Sequence, residues 1–202
     1  MRIIRKHIAA LLGVVLLAQA NIHATVTFNL GAGVLKDAAG NPMPQSGLVI
    51  LVASTSDSQF NAPTAGAFTS GDDLELARFD CSSLGTPGQL LVQSIANFAG
   101  EWGAGDPVAM LWFPGLTTNA LAPGSGSDYG FYRDDTGKDY GSPWFAPGDG
   151  GTINLNFVTT EAGGSNPASA GLAGNTVPVD CAITTTATAQ QVDQTMEMTF
   201  AN

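Results

Sequence analysis

Residues 47–53 read GLVILVA, seven consecutive positions with no polar side chain and several β-branched ones. The run is too short for a typical buried helix and lacks the polar alternation of a strand with one wet face. It predicts a central β-strand covered on both sides. Residues 25–30 (TVTFNL) carry the complementary signature, with Val26, Phe28 and Leu30 on one face and Thr25, Thr27 and Asn29 on the other. Residues 152–157 repeat it, with Ile153, Leu155 and Phe157 sharing a face. Residues 108–113 (VAMLWF) form a second apolar run, stopped by Pro114-Gly115.

Residues 74–79 predict a short strand with Leu74 and Leu76 on a shared face. Residues 89–98 (QLLVQSIANF) predict another, whose alternation breaks near Val92 and Ile95 and so calls for a bulge, a short amphipathic helix being the competing reading. Residues 177–185 and 195–200 complete the set, the last with Met196, Met198 and Phe200 inward. The connection over residues 54–71 is long and polar, and Phe60 and Phe68 are its natural anchors as it wraps an edge. Short strands joined by Gly- and Pro-rich turns, with no helical pattern after the first two dozen residues, predict an all-β single-domain β-sandwich, a jelly-roll-like order being one arrangement.

Residues 1–24 (MRIIRKHIAALLGVVLLAQANIHA) read as a cleavable signal helix. Arg2, Arg5 and Lys6 precede an apolar run that is too short for a stable membrane span, and small residues allow an exit after Ala20 or Ala24. The expected organisation is a signal peptide over 1–24 and a secreted domain over 25–202, extracellular or periplasmic. Three of the seven basic residues lie in the leader. Residues 25–202 therefore keep four basic residues against seventeen acidic ones, a net charge of −13. Such a field repels phosphate backbones, which excludes nucleic acid as a partner.

Cys81 and Cys181 are the two cysteines, and both fall in the exported part. In an oxidising compartment the simplest expectation is a disulfide between them, which would stabilise the fold by about 2–4 kcal/mol through restriction of the unfolded chain. Both histidines, His7 and His23, belong to the leader, so the exported part lacks the imidazole of a Ser/His or Cys/His nucleophile.

Four constellations could carry chemistry. Asp128, Asp134, Asp135 and Asp139 lie in a Gly-rich stretch that could offer carboxylate and carbonyl oxygens to calcium, although the spacing is not that of an EF-hand; no other cofactor is expected. Asp72, Asp73 and Glu75 form a smaller acidic group. Trp102, Tyr129, Tyr132, Tyr140 and Trp144 crowd a turn-rich region and could stack on the apolar faces of sugars, while Trp112 reads as core. Paired carboxylates such as Glu101 with Asp106, or Glu75 with Asp80, are the raw material of a glycoside hydrolase.

Residues 24–55 (ATVTFNLGAGVLKDAAGNPMPQSGLVILVAST), 71–80 (GDDLELARFD) and 105–116 (GDPVAMLWFPGL), behind such a leader, resemble small exported β-rich proteins of Gram-negative bacteria, many of which end in a Pro-Glu-Pro sorting tag. This chain ends MEMTFAN and lacks the tag. The resemblance implies matrix or surface material and names no catalytic residue. The resulting expectation is a noncatalytic extracellular structural, matrix or adhesion protein. It could self-associate by edge pairing, for which residues 195–200 are the most available segment. The alternatives are a carbohydrate-binding module for extracellular polysaccharide, with calcium assisting, and a carboxylate-based hydrolase.

Overall fold

The computed structural model describes residues 24–98, 102–134, 137 and 142–159, together with the backbone of 181–182. The described part is all-β: β1 (Thr25–Gly33), β2 (Leu48–Ser54), β3 (Asp73–Asp80), β4 (Leu90–Asn97), β5 (Val108–Phe113), β6 (Asp128–Tyr132), β7 (Thr152–Val158) and β8 (Cys181–Ala182). They form two open sheets, one ordered β4-β1-β7 and the other β3-β2-β5-β6-β8. All pairings are antiparallel except β1 with β7, which is parallel. Among the described residues no helix is long and apolar enough to cross a membrane.

The alternation of each strand decides which layer it serves. Val26, Phe28 and Leu30 of β1, with Ile153, Leu155 and Phe157 of β7, enter one cluster together with Val49, Leu51 and Ala53 of β2 and Val108, Met110 and Trp112 of β5. The two sheets therefore face each other across this core. The remaining β2 and β5 residues, Leu48, Ile50, Val52, Ala109, Leu111 and Phe113, point the other way and meet Phe60, Phe68, Tyr129 and Phe131 in a second cluster. Burial on both faces accounts for the uninterrupted apolar runs, each fully buried large side chain contributing about 1.5–3 kcal/mol.

Phe60 and Phe68 anchor the 54–71 connection as expected, but they lay it over a face of the five-stranded sheet rather than around an edge. Arg78 holds that cover down. Its guanidinium pairs with both Glu75 carboxylate oxygens at 2.5 and 2.8 Å, donates to the Ala120 carbonyl and lies 4.7 Å from the Phe68 ring centroid.

Two local expectations change. The bulge expected in residues 89–98 is absent, because β4 keeps an unbroken register from Leu90 to Asn97 against β1. Its pattern looked irregular because Leu91 and Ile95 are apolar residues turned to solvent, 60% and 67% exposed. The register shift lies instead where β3 pairs with β2, between Leu51 and Val52. It leaves Leu76, Ala77 and Phe79 all packed on the inter-sheet core.

The expected Cys81–Cys181 disulfide is not formed. Cys81 is a free, fully buried thiol at the end of β3, whereas Cys181 pairs with Tyr129 on the opposite margin of the same sheet. Four strand spacings, about 19 Å, separate the two margins, far beyond the reach of a disulfide. Burial, with the nearby Asp80 charge adding to it, pushes the Cys81 thiol up to about 12.

Candidate functional site

The aromatic side chains proposed as a sugar platform belong to the interior. Trp102, Tyr129, Tyr132 and Trp144 are each no more than 5% exposed. Trp102 packs on Phe28 and Phe98, and Tyr132 packs on Trp144 and Phe157. Tyr129 lies against Phe113 on the other side of the five-stranded sheet. A buried ring has no face to give a glycan, so these four side chains form no stacking surface. Tyr140 lies outside the described residues.

Most of the described carboxylates are likewise engaged within the fold. Asp134 accepts from the Gly137 N–H at 2.9 Å and closes a turn, while Asp128 is exposed at the far end of β6, about 20 Å of extended chain away. The two cannot share one ion, and Asp135 and Asp139 lie outside the described residues. Asp72 accepts from the N–H groups of Thr55, Ser56 and Asp57 at 3.1, 2.7 and 3.2 Å and from Ser54 Oγ at 3.2 Å. These bonds, the one from Ser56 foremost, hold its carboxyl below the usual range.

Asp73 accepts from the Asn61 N–H at 2.5 Å, but its Oδ1 is buried without a partner, and burial raises its pKa to about 6. Glu75 is committed to Arg78, Asp80 to Ser82 and Asp106 to the Gly103 N–H. Glu101 lies outside the described residues. Among the described residues no group of three or more acidic, histidine or cysteine side chains is disposed to hold a metal ion.

The exposed surface with the most regular chemistry is the outer face of the three-stranded sheet. The nine, eight and seven residues of β1, β4 and β7 include no charged side chain, whereas residues 25–202 as a whole carry a net −13. The register sets their outward residues in rows: Ile95–Thr27–Thr152, Gln93–Asn29–Asn154 and Leu91–Gly31–Asn156. The middle row is continuous, since Gln93 Nε2 donates to Asn29 Oδ1 and Asn29 Nδ2 donates to Asn154 Oδ1, each at 2.9 Å. Opposite-strand amides at this spacing orient one another across the sheet.

At the third row the missing side chain of Gly31 opens a cleft of about 220 Å³, bordered by Leu84, Gln89, Asn156 and Val158. A Cβ on Gly31 would come within 3.3 Å of Asn156 Oδ1 and 3.8 Å of a Leu91 methyl. The face thus offers aligned amide donors and acceptors, threonine side chains and a shallow notch. It suits an extended, uncharged or weakly charged partner. Its signal in the sequence is weaker than that of the aromatic and acidic clusters: three charge-free strands, two of them, β1 and β7, with Thr or Asn at alternate positions.

Comparison of the chain with protein-family models, with curated proteins and with solved structures finds no match.

Proposed function

We propose that this chain is a noncatalytic extracellular domain of a surface layer or matrix, exported by residues 1–24 and folded as a β-sandwich akin to the small exported β-rich proteins of Gram-negative bacteria. The observation that carries this reading is the charge-free sheet face with its Gln93–Asn29–Asn154 amide row. Residues 25–202, at a net −13, meet polyanionic surroundings with least repulsion where they carry no charge, and Asp72, Asp80 and Asp134 serve turns and loop clasps.

The test is fractionation of native cells expressing the tagged chain, followed by retention on isolated envelope or matrix. The protein is expected outside the cytosol without residues 1–24. Asn29→Asp, which charges the centre of the row, is expected to release at least about tenfold more protein. Recovery from the cytosol with the first residues attached, or retention that Asn29→Asp leaves unchanged, would overturn the proposal.

The Gly31 cleft favours a second reading, carbohydrate binding, in which a sugar unit seats between Asn156 and Gln89 beside the amide row. Soluble oligosaccharides added as competitors in the retention assay separate the two readings: displacement supports the glycan reading, and indifference supports contact with protein.

A further inference from the structure

The sheet margins formed by β3, β7 and β4 are not protected alike. β3 carries Asp73, Glu75, Arg78 and Asp80 and a register shift, devices that discourage a neighbouring strand. β7 is met from outside by the Ser142 N–H, 3.4 Å from the Asn154 carbonyl. Among the described residues β4 has neither protection. Its sequence LLVQSIAN holds no charge and no proline, its register is unbroken, and its outward side chains Leu91 and Ile95 are largely exposed.

Backbone directions along β4 follow from its bonds. Ala24 accepts from the Phe98 N–H, and β1 turns its odd-numbered groups toward β7, as the Thr27 N–H to Gly151 carbonyl bond shows. Its even-numbered groups therefore bond β4 through Leu90, Val92, Ser94 and Ala96. The N–H and C=O groups of Leu91, Gln93, Ile95 and Asn97 point away from the sheet. Both ends of this outward row are capped, the Leu91 N–H by Ser83 Oγ and the Asn97 carbonyl by Trp102 Nε1, each at 3.0 Å. Between the caps, the main-chain groups of Gln93 and Ile95 meet no partner among the described residues.

We propose that this open stretch pairs with the same stretch of a second copy, deepening the surface-layer reading above and resting on it. Two donors and two acceptors, spaced two residues apart, are self-complementary about a two-fold axis at Ser94. Gln93 of one copy exchanges N–H···O bonds with Ile95 of the other, and the symmetric pair does the same, giving four bonds with both caps left in place. The exposed Ile95 side chains close on the joint from the same face as the amide row. The occupant is a second copy because the strip is neutral in a strongly acidic chain, so two copies approach there with the least repulsion, while an acidic or basic peptide would find no counter-charge.

The experiment measures oligomeric state by sedimentation and amide hydrogen exchange by residue, both against concentration, at low salt and at 0.5 M NaCl. Dimers are expected to strengthen with salt. Protection of the Gln93 and Ile95 amides is expected to rise at least about tenfold with concentration while that of Ser94, bonded within the sheet, stays constant. Ile95→Pro removes an outward N–H without breaking a bond to β1, and it is expected to weaken association at least about tenfold; Ile95→Thr, which keeps the N–H, is expected to weaken it less.

Strictly monomeric protein, protection at Gln93 and Ile95 already present in dilute monomer, or equal losses in the two variants would each overturn edge pairing. Should Ile95→Pro fail to fold, the exchange measurement decides alone. Monomers that are still retained on matrix would refute the pairing and spare the function, whereas a cytosolic chain that dimerises would do the reverse.

Discussion

Gly130 lies directly opposite Trp112 in the β5–β6 pair, and the indole ring occupies the space a side chain there would need. A Cβ built on Gly130 falls 2.0 Å from both Trp112 Cε2 and Cζ2, whereas ordinary contact begins near 3.4 Å, so the ring has to retreat by about 1.4 Å. It has little room to do so. Trp112 is fully buried, its Nε1 donates to the Lys36 carbonyl at 3.1 Å, and its ring sits 6.0 Å from that of Phe157.

Gly130→Ala is therefore expected to cost about 1–3 kcal/mol in overpacking and about 1 kcal/mol for the strained or broken indole bond, about 2–4 kcal/mol in all. In urea this lowers the unfolding midpoint by about 1–2 M, followed by tryptophan fluorescence and by far-ultraviolet circular dichroism. The double variant Gly130→Ala with Trp112→Leu removes the clash together with the ring, so its loss should fall short of the summed single losses by at least about 1.5 kcal/mol. A Gly130→Ala protein within about 0.5 kcal/mol of the parent, or strictly additive single losses, would refute the packing argument.

Asp73 predicts a pH dependence of defined sign. Its folded pKa near 6 stands above the ordinary 3.8, so the neutral form favours the fold: the stabilisation is fully present below pH 3.8 and is lost as pH rises through 6. With solvent reaching part of the group, Asp73→Asn should gain about 1 kcal/mol over the parent at pH 7, an advantage that vanishes below about pH 4; urea midpoints across that range test it, and an advantage that grows toward low pH would contradict it. The free Cys81 predicts that unfolding midpoints with and without reductant coincide and that a thiol reagent labels Cys81 only after denaturation. A midpoint that falls on reduction would show a bridge.

The strands that form the inter-sheet core were legible because burial imposes a period. β5 matches the apolar run 108–113 residue for residue, and the alternation in 25–30 and 152–157 places Phe28, Leu155 and Phe157 in the core. What alternation cannot encode is the identity of the partner. The parallel β1–β7 pairing joins residues more than a hundred positions apart, and no local signal specifies it. The same gap explains the disulfide expectation, since the sequence positions of two cysteines say nothing about which sheet margins they occupy. Aromatic crowding around residues 129–145 misled for a related reason: ring size marks Tyr132 and Trp144 equally for a core and for a binding platform, and only the opposing sheet, with Phe157 against Tyr132, decides between them.

The distribution of charge ties the fold to the proposed role. Charges that face a partner at more than about 8 Å are largely screened at physiological ionic strength, so the net −13 matters less at a contact than the charges bordering it. At one end of β1 the Asp149 carboxylate is held to the Thr25 N–H. The other ends of β1 and β7, at Gly33 and Val158, line the Gly31 cleft, whose lining residues are all uncharged. The outward rows of the face therefore carry no charge of their own, with the Asp149 carboxylate at one end and Asp80, bonded to Ser82, beside the start of β4. A neutral partner meets no charge along these rows, whereas a polyanion is repelled near Asp149. Adhesion through this face should then weaken little as salt is raised, while association along the β4 edge, which brings two whole acidic domains together, should strengthen. Opposite salt responses for the two contacts follow from one sheet because they differ in how much of the rest of the molecule each brings near its partner.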